Sequence, residues 1–367
     1  MKFCYLANIR FPSERAHASQ IACMCQAFSM LIEEVDLVVD DRVVGGKKEL
    51  DEYYHIDSSF SLYRIPGVFS VSNKFLYSIG TLRFVLNFIL KVGVGKYDVI
   101  FSRNELILFI LSLFKKPEEI IWESHSKSVN VFSRYLMKKG IRVVVTSTGL
   151  QKLYLEYLKR KDQIILAPNG IDESFFEVTE SKHAVRKKLG LEVDAKIVMY
   201  IGGLDKWKGV DSFLEASNHQ KNVTFVVIGG SVNEVEVLKK KYPLVVFLGE
   251  RPYYDLKHNQ CAADVLVVPN TAKNELSAEY TSPLKLFAHM TSSVPVVASK
   301  IPSIVTIKGS EHFTFFEPDD PRDLAQTINT VIQNYDVKLR SAKELVKIAR
   351  NFTWIERARK ILAKQYA

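Results

Sequence analysis

Residues 196–216 read KIVMYIGGLDKWKGVDSFLEA, an apolar run followed by a glycine pair and an amphipathic segment. The apolar run predicts a buried β-strand, and Gly202 and Gly203 predict a turn at which a ligand can approach the backbone. Lys208 and Gly209 then precede a helical pattern. Strand, glycine turn and helix in this order are typical of an α/β fold, in which ligands bind at the carboxyl ends of parallel strands.

Strand-like apolar runs, each followed by a helical pattern, recur along the whole chain. The first half contains KFCYLANI, VDLVVD, YDVIFSR, EIIWES, VVVTS and IILAPN, and the second contains KIVMYIGG, VTFVVIGG, LVVFLG, ADVLVVPN and VPVVAS. Apolar strands that alternate with amphipathic helices indicate parallel sheets covered on both faces. A chain of 367 residues suits two such domains. We therefore predict two Rossmann-like, doubly wound α/β domains that face each other across a cleft.

A turn of proline, asparagine and glycine marks the break between the two series of strands, and a charged stretch follows it. The predicted domains are residues 1–170 and 171–350. The terminal segment 351–367 carries an apolar stripe that includes Trp354. Because such a stripe needs a surface to pack on, we predict that this segment is a helix that returns to the first domain.

Positive charge is concentrated in the first domain. The net charge of the chain is +9, and residues 60–160 contain 16 Lys and Arg against 6 Asp and Glu. A basic domain can face nucleic acid, an anionic membrane surface or a phosphorylated substrate. The sequence has no helix-turn-helix, RNA-binding or zinc signature, so we expect no nucleic-acid partner.

The cysteines and the N-terminus bear on location. The four cysteines form no CxxC motif, and the first residues lack the charge and apolar pattern of a signal peptide. We therefore expect a cytoplasmic protein, which would be peripheral at the inner face of the cytoplasmic membrane if its basic domain binds lipid.

Residues 72–96, SNKFLYSIGTLRFVLNFILKVGVGK, combine a long apolar pattern with basic residues at its edges. An apolar helix edged with lysine and arginine can lie on an anionic membrane surface. An ordinary core helix with solvated ends has the same composition. The sequence leaves both interpretations open.

A second helix start lies in the second domain, after the strand ADVLVVPN. The stretch LSAEYTSPLKLFAHM, residues 276–290, places Thr281, Ser282 and Pro283 before a helical pattern. Hydroxyl caps and a first-turn proline suit a helix N-terminus, whose free amides can bind phosphate. A plain helix cap would look the same, but Lys208 and the glycine turn of the same domain favour a diphosphate site.

The motifs of both domains, taken in order, resemble those of glycosyltransferase family 4, retaining enzymes of the GT-B architecture. The second domain contributes YIGGLDKWKGVD, FVVIGG, VVFLGERPYYDL, AADVLVVPN and EYTSPLKLFAHMTSSVPVVASKIPSI. The first domain contributes NIRFPSERAHASQI, FSRNE, WESHS and APNGID. The resemblance covers nearly the whole chain and is specific as an ordered set.

The resemblance implies that the second domain holds a nucleotide-diphosphate-sugar donor. It places the diphosphate at Lys208 and at the helix start, and the nucleobase at the loop of Arg251. The donor-binding residues that it implies are Gly202, Gly203, Lys208, Arg251, Glu275, Thr281, Ser282, Pro283 and Leu284.

In the first domain the resemblance implies the side that meets the acceptor and the transferred sugar. The residues expected there are Arg10, His17, Arg103 and His125. His125 follows a predicted strand. Arg103 could equally form an ion pair with Glu105.

The expected catalytic residues, again from the resemblance, are His125, Lys208 and Glu279. The departing diphosphate can itself help to deprotonate the acceptor, while Lys208 and helix amides stabilise its charge. No Asp-x-Asp motif follows a strand. We therefore expect no essential metal and no other cofactor.

The sequence departs from the family at donor-binding positions. Gly203 stands where the family has an arginine, and Ala288 stands where it has the second glutamate of a Glu-x7-Glu motif. Tyr280 aligns with the first glutamate, so Glu275 or Glu279 would have to serve from a shifted position.

The histidine that follows Ala288, His289, cannot simply replace the missing glutamate. Adjacent helical residues point about 100° apart and do not share a face. We expect His289 to have a surface or packing role.

The function that the resemblance implies is retaining transfer of a sugar from a nucleotide-diphosphate sugar to a glycan or lipid-linked acceptor, in the assembly of O-antigen, capsule or exopolysaccharide. Two alternatives stay open: a nucleotide-sugar epimerase with the GT-B fold, and a non-catalytic partner subunit that binds a sugar nucleotide or a glycan. The departures at Gly203 and Ala288 favour the partner subunit, whereas Lys208 and His125 speak against it.

Overall fold

In the computed structural model the chain forms two compact units, each built around its own parallel sheet. The structure describes residues 1–13, 16–42, 47–56, 59–67 and 73–363. The first unit contains the residues up to Pro168 and those from Trp354 onward, and the second runs from Asn169 to Thr353. Both breaks lie a few residues from the predicted domain boundaries.

The sheet of the first unit has seven strands. They are β1 (Lys2–Ala7), β2 (Glu34–Asp40), β3 (Ser61–Ile65), β4 (Val99–Ser102), β5 (Ile120–Ser124), β6 (Arg142–Val145) and β7 (Ile164–Leu166). Their order is β3-β2-β1-β4-β5-β6-β7, and all neighbours are parallel. The winding direction reverses between β1 and β4, so the loops after the central strands lie at a topological switch point, where ligands bind in such sheets.

The helices of the first unit follow the strands in sequence. They are α1 (Ala16–Ser29), α2 (Lys47–Tyr54), α3 (Lys74–Asn87), α4 (Glu105–Leu111), α5 (Val131–Lys139) and α6 (Thr148–Leu155). Asparagine caps start three of them: the side chains of Asn73, Asn104 and Asn130 accept hydrogen bonds from first-turn amides of α3, α4 and α5. Each cap sets where its helix begins.

The sheet of the second unit has six strands. They are β8 (Ile197–Ile201), β9 (Thr224–Ile228), β10 (Val245–Phe247), β11 (Val265–Val268), β12 (Val296–Ser299) and β13 (Thr314–Phe316). The order β10-β9-β8-β11-β12-β13 is again parallel throughout. Its switch point lies between β8 and β11, beside the Gly202–Gly203 turn that follows β8.

Eight helices complete the described part of the second unit. They are α7 (Lys182–Leu189), α8 (Val210–Ala216), α9 (Val232–Lys241), α10 (Leu256–Asn259), α11 (Leu284–Met290), α12 (Pro302–Val305), α13 (Pro321–Gln333) and α14 (Tyr335–Ala349). Apolar residues on both faces of the sheet form the core, for example Tyr200 and Phe213 on one face and Met199 on the other. Burial on both faces explains why the strands read as continuous apolar runs.

The final helix, α15 (Trp354–Leu362), belongs to the first unit and contacts α1. Trp354, Ile361 and Leu362 are buried there. The apolar stripe read from the sequence is thus the packing face of this helix.

The structure confirms two Rossmann-like α/β domains with parallel sheets and adds two edge strands, β3 and β13, that the sequence did not predict. Only Ile65 is buried in β3 and only Phe316 in β13. An edge strand has a neighbour on one side only and buries less apolar surface, so its pattern is weaker than that of a central strand.

Candidate functional site

A buried carboxylate lies near the switch point of the first unit, on the strand beyond β4 in the sheet order. Glu123, in β5, is fully buried, and its Oε2 accepts hydrogen bonds from Arg103 Nε (2.8 Å) and Tyr5 Oη (3.1 Å). Arg357 Nη2 donates to Glu123 Oε1. Burial alone would raise the pKa of Glu123, but Arg103 and Arg357 hold this pKa well below its usual range. Glu123 is therefore an anion fixed by two arginines.

His125 directly follows β5 and lies beside this carboxylate. Its Nε2 is 3.1 Å from Glu123 Oε1, outside hydrogen-bond alignment, and its side chain is 30% exposed. Burial lowers the pKa of His125 to about 4, and Arg103 acts in the same direction. The imidazole is therefore neutral at neutral pH and partly open to solvent, which suits a hydrogen bond with a polar ligand such as a sugar hydroxyl.

Arg357 ties the last helix to this cluster. Its Nε donates to the carbonyl oxygens of Ala167 (3.2 Å) and Pro168 (3.0 Å), and its Nη2 donates to Glu123. Arg357 is 4% exposed. The side chain thereby connects α15 with β5 and with residues 167 and 168, where the N-terminal part of this unit ends.

The structure brings together two of the four residues predicted for the acceptor side, His125 and Arg103. Arg103 also donates to Gln20 Oε1 (3.3 Å), one turn after His17 on α1. The alternative pairing of Arg103 with Glu105 is wrong: Arg103 pairs with Glu123, and Glu105 accepts a hydrogen bond from Asn130. Arg103 follows β4, which pairs with β5, so the register brings it to the carboxylate of the neighbouring strand.

The remaining two predicted residues lie elsewhere in the first unit. Arg10 is exposed in the loop after β1, and His17 is partly exposed in the first turn of α1. Their role on the acceptor side therefore stays a prediction.

Glycine turns meet at the carboxyl ends of three neighbouring strands of the second unit. The Gly202 amide donates to the Ile228 carbonyl (2.9 Å), and the Gly229 amide donates to the Gly249 carbonyl (2.8 Å). Gly229 has a φ of 133°, and a Cβ at this position would collide with the Gly202 carbonyl. At the ends of β8, β9 and β10 the backbone segments are therefore closely packed, and their glycines have no side chains to cover them.

Two lysines converge on the first of these turns. Lys285 Nζ, from the first turn of α11, would lie 3.0 Å from a Cβ on Gly202, and Lys208 Nζ would lie 2.5 Å from a Cβ on Gly203. Lys285 also donates to the Tyr200 hydroxyl (2.9 Å), which in turn donates to the Gly203 carbonyl (2.7 Å). Each glycine of the pair thus lies under one ammonium group.

The charges at this turn are unbalanced. Lys208 forms an ion pair with Asp205 (2.7 Å), whereas Lys285 donates to a neutral phenol. Burial lowers the pKa of Lys285 well below its usual range, and the nearby Lys208 acts in the same direction. An anion bound here would gain two cationic partners and would favour the charged form of Lys285.

The turn of Lys208 is held in place by Gly209. This glycine has a φ of 71°, and a Cβ on it would collide with the Pro269 carbonyl. The turn therefore packs against the loop that follows β11, the next strand across the switch point. Any side chain larger than hydrogen at position 209 would push Lys208 away.

The start of α11 differs from the predicted cap. A short π-helical turn, Leu276–Tyr280, ends before Thr281, and the N-cap residue of α11 is Pro283 without a side-chain cap. Thr281 and Ser282 are therefore not the caps. The Ser282 hydroxyl instead accepts a hydrogen bond from the Asn169 amide (3.0 Å), and the Ser282 carbonyl accepts one from the Asn169 side chain (2.7 Å). Helix α11 begins at Leu284, so Lys285 occupies its second position.

The other predicted donor residues surround the lysine pair in sequence. Arg251 is partly exposed in the loop after β10, two residues beyond Gly249. Glu275 is exposed and accepts a hydrogen bond from Tyr280 (3.3 Å), and Glu279 is partly buried in the π-helical turn. Their predicted donor contacts stay predictions.

Ala288 and His289 are both buried, as are all residues of α11 from Leu286 to Met290. Ala288 is 9% exposed and His289 is 1% exposed, with His289 Nδ1 lying 3.2 Å from Gln260 Oε1. Burial lowers the pKa of His289 to about 3. Of the two roles expected for His289, packing is correct and surface is wrong, because the ring points into the domain interior.

Three residues of these clusters, Glu123, Lys285 and Arg357, were not predicted as site residues, yet each has a recognisable signal in the sequence. Glu123 is a charge inside the apolar strand EIIWES, and Arg357 lies on the apolar face of WIERARKIL, three residues after Trp354. Lys285 is a cation in the first turn of a helix, where the helix dipole disfavours positive charge. Charged residues in apolar or unfavourable surroundings usually have a partner or a ligand.

Comparisons with known proteins find a matching family and several distant relatives. Residues 195–334 match the family described as glycosyl transferases group 1. The chain is 24% identical over 234 residues to a D-inositol 3-phosphate glycosyltransferase of Corynebacterium efficiens, covering 58% of this chain and 53% of that protein. It is 22% identical over 214 residues to a putative teichuronic acid biosynthesis glycosyltransferase of Bacillus subtilis, covering 56% and 52%. The chain thus spans about half the length of these curated relatives.

Among solved structures, the Anabaena protein HepE in complex with UDP-glucose superposes with a TM-score of 0.73. The match covers 100% of this chain and 99% of that one at 19% sequence identity. The likeness shows a shared fold. This chain therefore has the GT-B fold, and residues 195–334 of its second unit match the family of glycosyl transferases group 1.

Proposed function

We propose that this chain, a GT-B fold protein with a group 1 glycosyltransferase domain, is a retaining glycosyltransferase of family 4. It transfers a sugar from a nucleotide-diphosphate sugar to a glycan or lipid-linked acceptor in the assembly of a surface polysaccharide. The observation that carries the proposal is the pair of ammonium groups, Lys208 and Lys285, over the Gly202–Gly203 turn. The complex of a structural relative with UDP-glucose supports a donor of this class.

The lysine pair matches the charge of a departing diphosphate. Cleavage of the bond between sugar and phosphate places a negative charge on the leaving oxygen, and preorganised cations stabilise this charge most strongly in the transition state. Lys285 supplies the second cation in a sequence that has Gly203 in the place of the family's arginine. A second cation is thus present at this turn although position 203 is glycine, because α11 supplies it.

His125 and Glu123 supply the acceptor side of the proposed mechanism. A neutral imidazole held beside a fixed carboxylate can exchange hydrogen bonds with a sugar hydroxyl without adding charge. The acceptor proton passes to the leaving phosphate, so that no protein carboxylate has to act as the base. Glu123 acts through His125, and Glu279 keeps the donor-side role expected for it.

The direct test is donor binding to the full chain, measured by calorimetry with UDP-, GDP-, ADP- and CMP-sugars. The Lys208→Ala and Lys285→Ala variants should each bind the preferred donor roughly 10- to 100-fold more weakly, since each loses a charge-assisted contact. Lys347→Ala is the matched control, because Lys347 is 72% exposed on α14. If no nucleotide sugar binds, the proposal is wrong.

Turnover separates the proposed transferase from its alternatives. Donor hydrolysis or transfer should fall in the His125→Ala variant while donor binding stays close to that of the wild type. Binding without turnover for any acceptor would favour the non-catalytic partner subunit, which Ala288 supports because no acidic residue lies in α11. A nucleotide-sugar epimer as product would favour the epimerase.

We also propose that transfer needs no metal and takes place in the cytoplasm. The two lysines provide positive charge at the diphosphate, a role that a divalent cation has in other enzymes. Activity should therefore be unchanged after treatment with EDTA. Loss of activity that Mg²⁺ or Mn²⁺ restores would contradict this part of the proposal.

A further inference from the structure

Helix α3 and the turn that follows it expose an unusual amount of apolar surface. The stretch Phe75–Val92 is long and apolar enough to cross a membrane by length and composition, but only 28% of it is buried. Its inward side chains Phe84, Val85 and Phe88 have no exposed surface. The helix is therefore packed on the first unit along one side only, so that it is neither enclosed by protein nor surrounded by lipid.

The outward side chains form one continuous line, the α3 stripe. Its members are Phe75 (72% exposed), Ile79 (37%), Leu82 (42%), Leu86 (55%) and Leu90 (82%). They recur every three or four residues, which places them on one helix face over roughly 22 Å. Soluble domains seldom expose so long an apolar line without a partner.

A second apolar segment, the Leu113–Lys116 turn, follows α4. Leu113 is 64% exposed and Phe114 is 61% exposed. Lys115 Nζ donates to the Tyr97 carbonyl, and the Tyr97 ring stacks on Phe88 with centroids 5.9 Å apart. These contacts connect the turn to the Leu90 end of the α3 stripe.

The charged residues within segment 73–96 and within the Leu113–Lys116 turn are all basic. Residues 73–96 contain Lys74, Arg83, Lys91 and Lys96 and no Asp or Glu. Arg83 and Lys91 are exposed. Lys116 is exposed in the Leu113–Lys116 turn. The apolar surface thus has cations beside it.

A basic cavity begins at the residue after this turn. Pro117 is part of its wall, and its volume is about 360 Å³. Its charged side chains are Glu118, Lys139, Arg142, Lys159, Arg160 and Asp162. Four cations against two carboxylates give the cavity a net positive charge, which suits an anionic headgroup.

We propose that the α3 stripe and the Leu113–Lys116 turn form a docking surface for an anionic lipid bilayer. The helix lies in the plane of the interface: its apolar face enters the boundary between headgroups and acyl chains, and its lysines and arginine meet anionic headgroups. The buried inner face rules out a spanning helix, since lipid would have to replace the protein core along it.

A second copy of this chain fits the same surface less well. Two copies that meet through the α3 stripe would bring Arg83 and Lys91 of each near those of the other, and no acidic residue of segment 73–96 is available to compensate. Anionic lipid supplies the compensating charge. The surface is independent of the proposed function, because it belongs to the first unit and needs no sugar donor.

The test is co-flotation of the full chain with vesicles of pure phosphatidylcholine and with vesicles rich in phosphatidylglycerol. We expect binding to the anionic vesicles only, weakened by added salt. Leu86→Glu combined with Leu90→Glu should lower binding by roughly tenfold or more, because apolar contacts are lost and negative charge is added. Lys91→Gln combined with Lys116→Gln should lower binding and reduce its salt dependence.

The matched control is Val237→Glu combined with Val337→Glu, which changes two apolar residues of the second unit that are 67% and 54% exposed. This variant should bind vesicles like the wild type. Equal loss of binding in the control, or equal binding to neutral vesicles, would overturn the proposal. So would a dimer in light scattering that the Leu86→Glu and Leu90→Glu changes convert to a monomer, and sugar-donor affinity should be the same in all variants.

Discussion

Both units have a charged cluster near the carboxyl ends of the strands of a parallel sheet, but the two clusters use charge in opposite ways. In the first unit the carboxylate of Glu123 lies in the middle, fully buried, and Arg103 and Arg357 bind it. In the second unit cations lie in the middle, and among the residues that the structure describes Lys285 donates a hydrogen bond to a neutral phenol and to no carboxylate. In the first cluster the carboxylate already has its cationic partners. In the second cluster the lysines would gain an anionic partner when an anion binds.

The difference suggests what each cluster is for. Charges that neutralise one another inside a protein hold a structure, and removing one partner leaves the others buried and uncompensated. Charges left without a counterion destabilise the free protein slightly but are ready for a ligand. The comparison therefore predicts that substitutions in the first cluster change stability, while substitutions in the second change binding.

The largest effect is expected for Glu123→Gln. It leaves the buried Arg357 and the partly buried Arg103 without their anion and should lower the free energy of unfolding by about 3–5 kcal/mol. Urea denaturation measures this, with the exposed Glu156→Gln on the same unit as a control expected within about 0.5 kcal/mol of wild type. A loss below about 1 kcal/mol for Glu123→Gln would contradict the structural role of this cluster.

The next effect is a loss of stability in acid that depends on His289. Burial lowers the pKa of His289 from 6.5 to about 3. The unfolded chain takes up the proton first, so this contribution is fully present above pH 6.5 and is lost as the pH falls toward 3. Between pH 7 and pH 5 the loss is about 2 kcal/mol.

Denaturant titrations of the His289→Gln variant at these two pH values measure this contribution, since the variant should lack it. His125→Gln should show a smaller change, because His125 is 30% exposed and Glu123 favours its protonated form. An unchanged pH dependence in His289→Gln would contradict the assignment.

A smaller effect is expected for Tyr200→Phe. The variant loses the hydroxyl that donates to the Gly203 carbonyl and accepts from Lys285. We expect a loss of about 1 kcal/mol in the free energy of unfolding. Donor affinity should fall as well, because Lys285 loses the contact that orients it, and calorimetry against the donor that the wild type prefers would show whether it does.

The smallest effect on stability is expected for Lys285→Met. Methionine has a similar length and carries no buried charge, so the melting temperature should stay equal or rise, while donor affinity should drop as in Lys285→Ala. This is the sharpest contrast with Glu123→Gln. Lower stability with unchanged donor affinity would show that Lys285 stabilises the fold and does not bind the donor. The two clusters would then not differ in role.

Much of the fold could be predicted from the sequence because central parallel strands are buried on both faces and read as apolar runs. All eleven strands quoted from the sequence have a counterpart in the two sheets. Two of the four edge strands, β3 and β13, could not be predicted, since they are half-exposed and lack that pattern. The predicted cap of α11 was wrong because a π-helical turn ends next to it and Ser282 bonds to Asn169 instead.

The candidate site could be predicted where one local motif contains it. Strands precede the glycine pair, Lys208 and the histidine after EIIWES. A residue that follows a parallel strand lies at the carboxyl end of the sheet, where ligands bind. The partners of these residues come from distant segments. Arg357 is 234 positions from Glu123, and Lys285 reaches Tyr200 across 85 positions.

The sequence by itself determined two parallel α/β domains and a lysine beside a glycine turn, because burial periodicity and backbone freedom are local properties of the chain. Only the tertiary structure decided which charges are neutralised and which are left for a ligand. Pairing depends on a few ångströms between side chains of remote segments, and folding alone sets that distance. For this reason Glu123 became part of the fold, and Lys285 became a candidate for the donor.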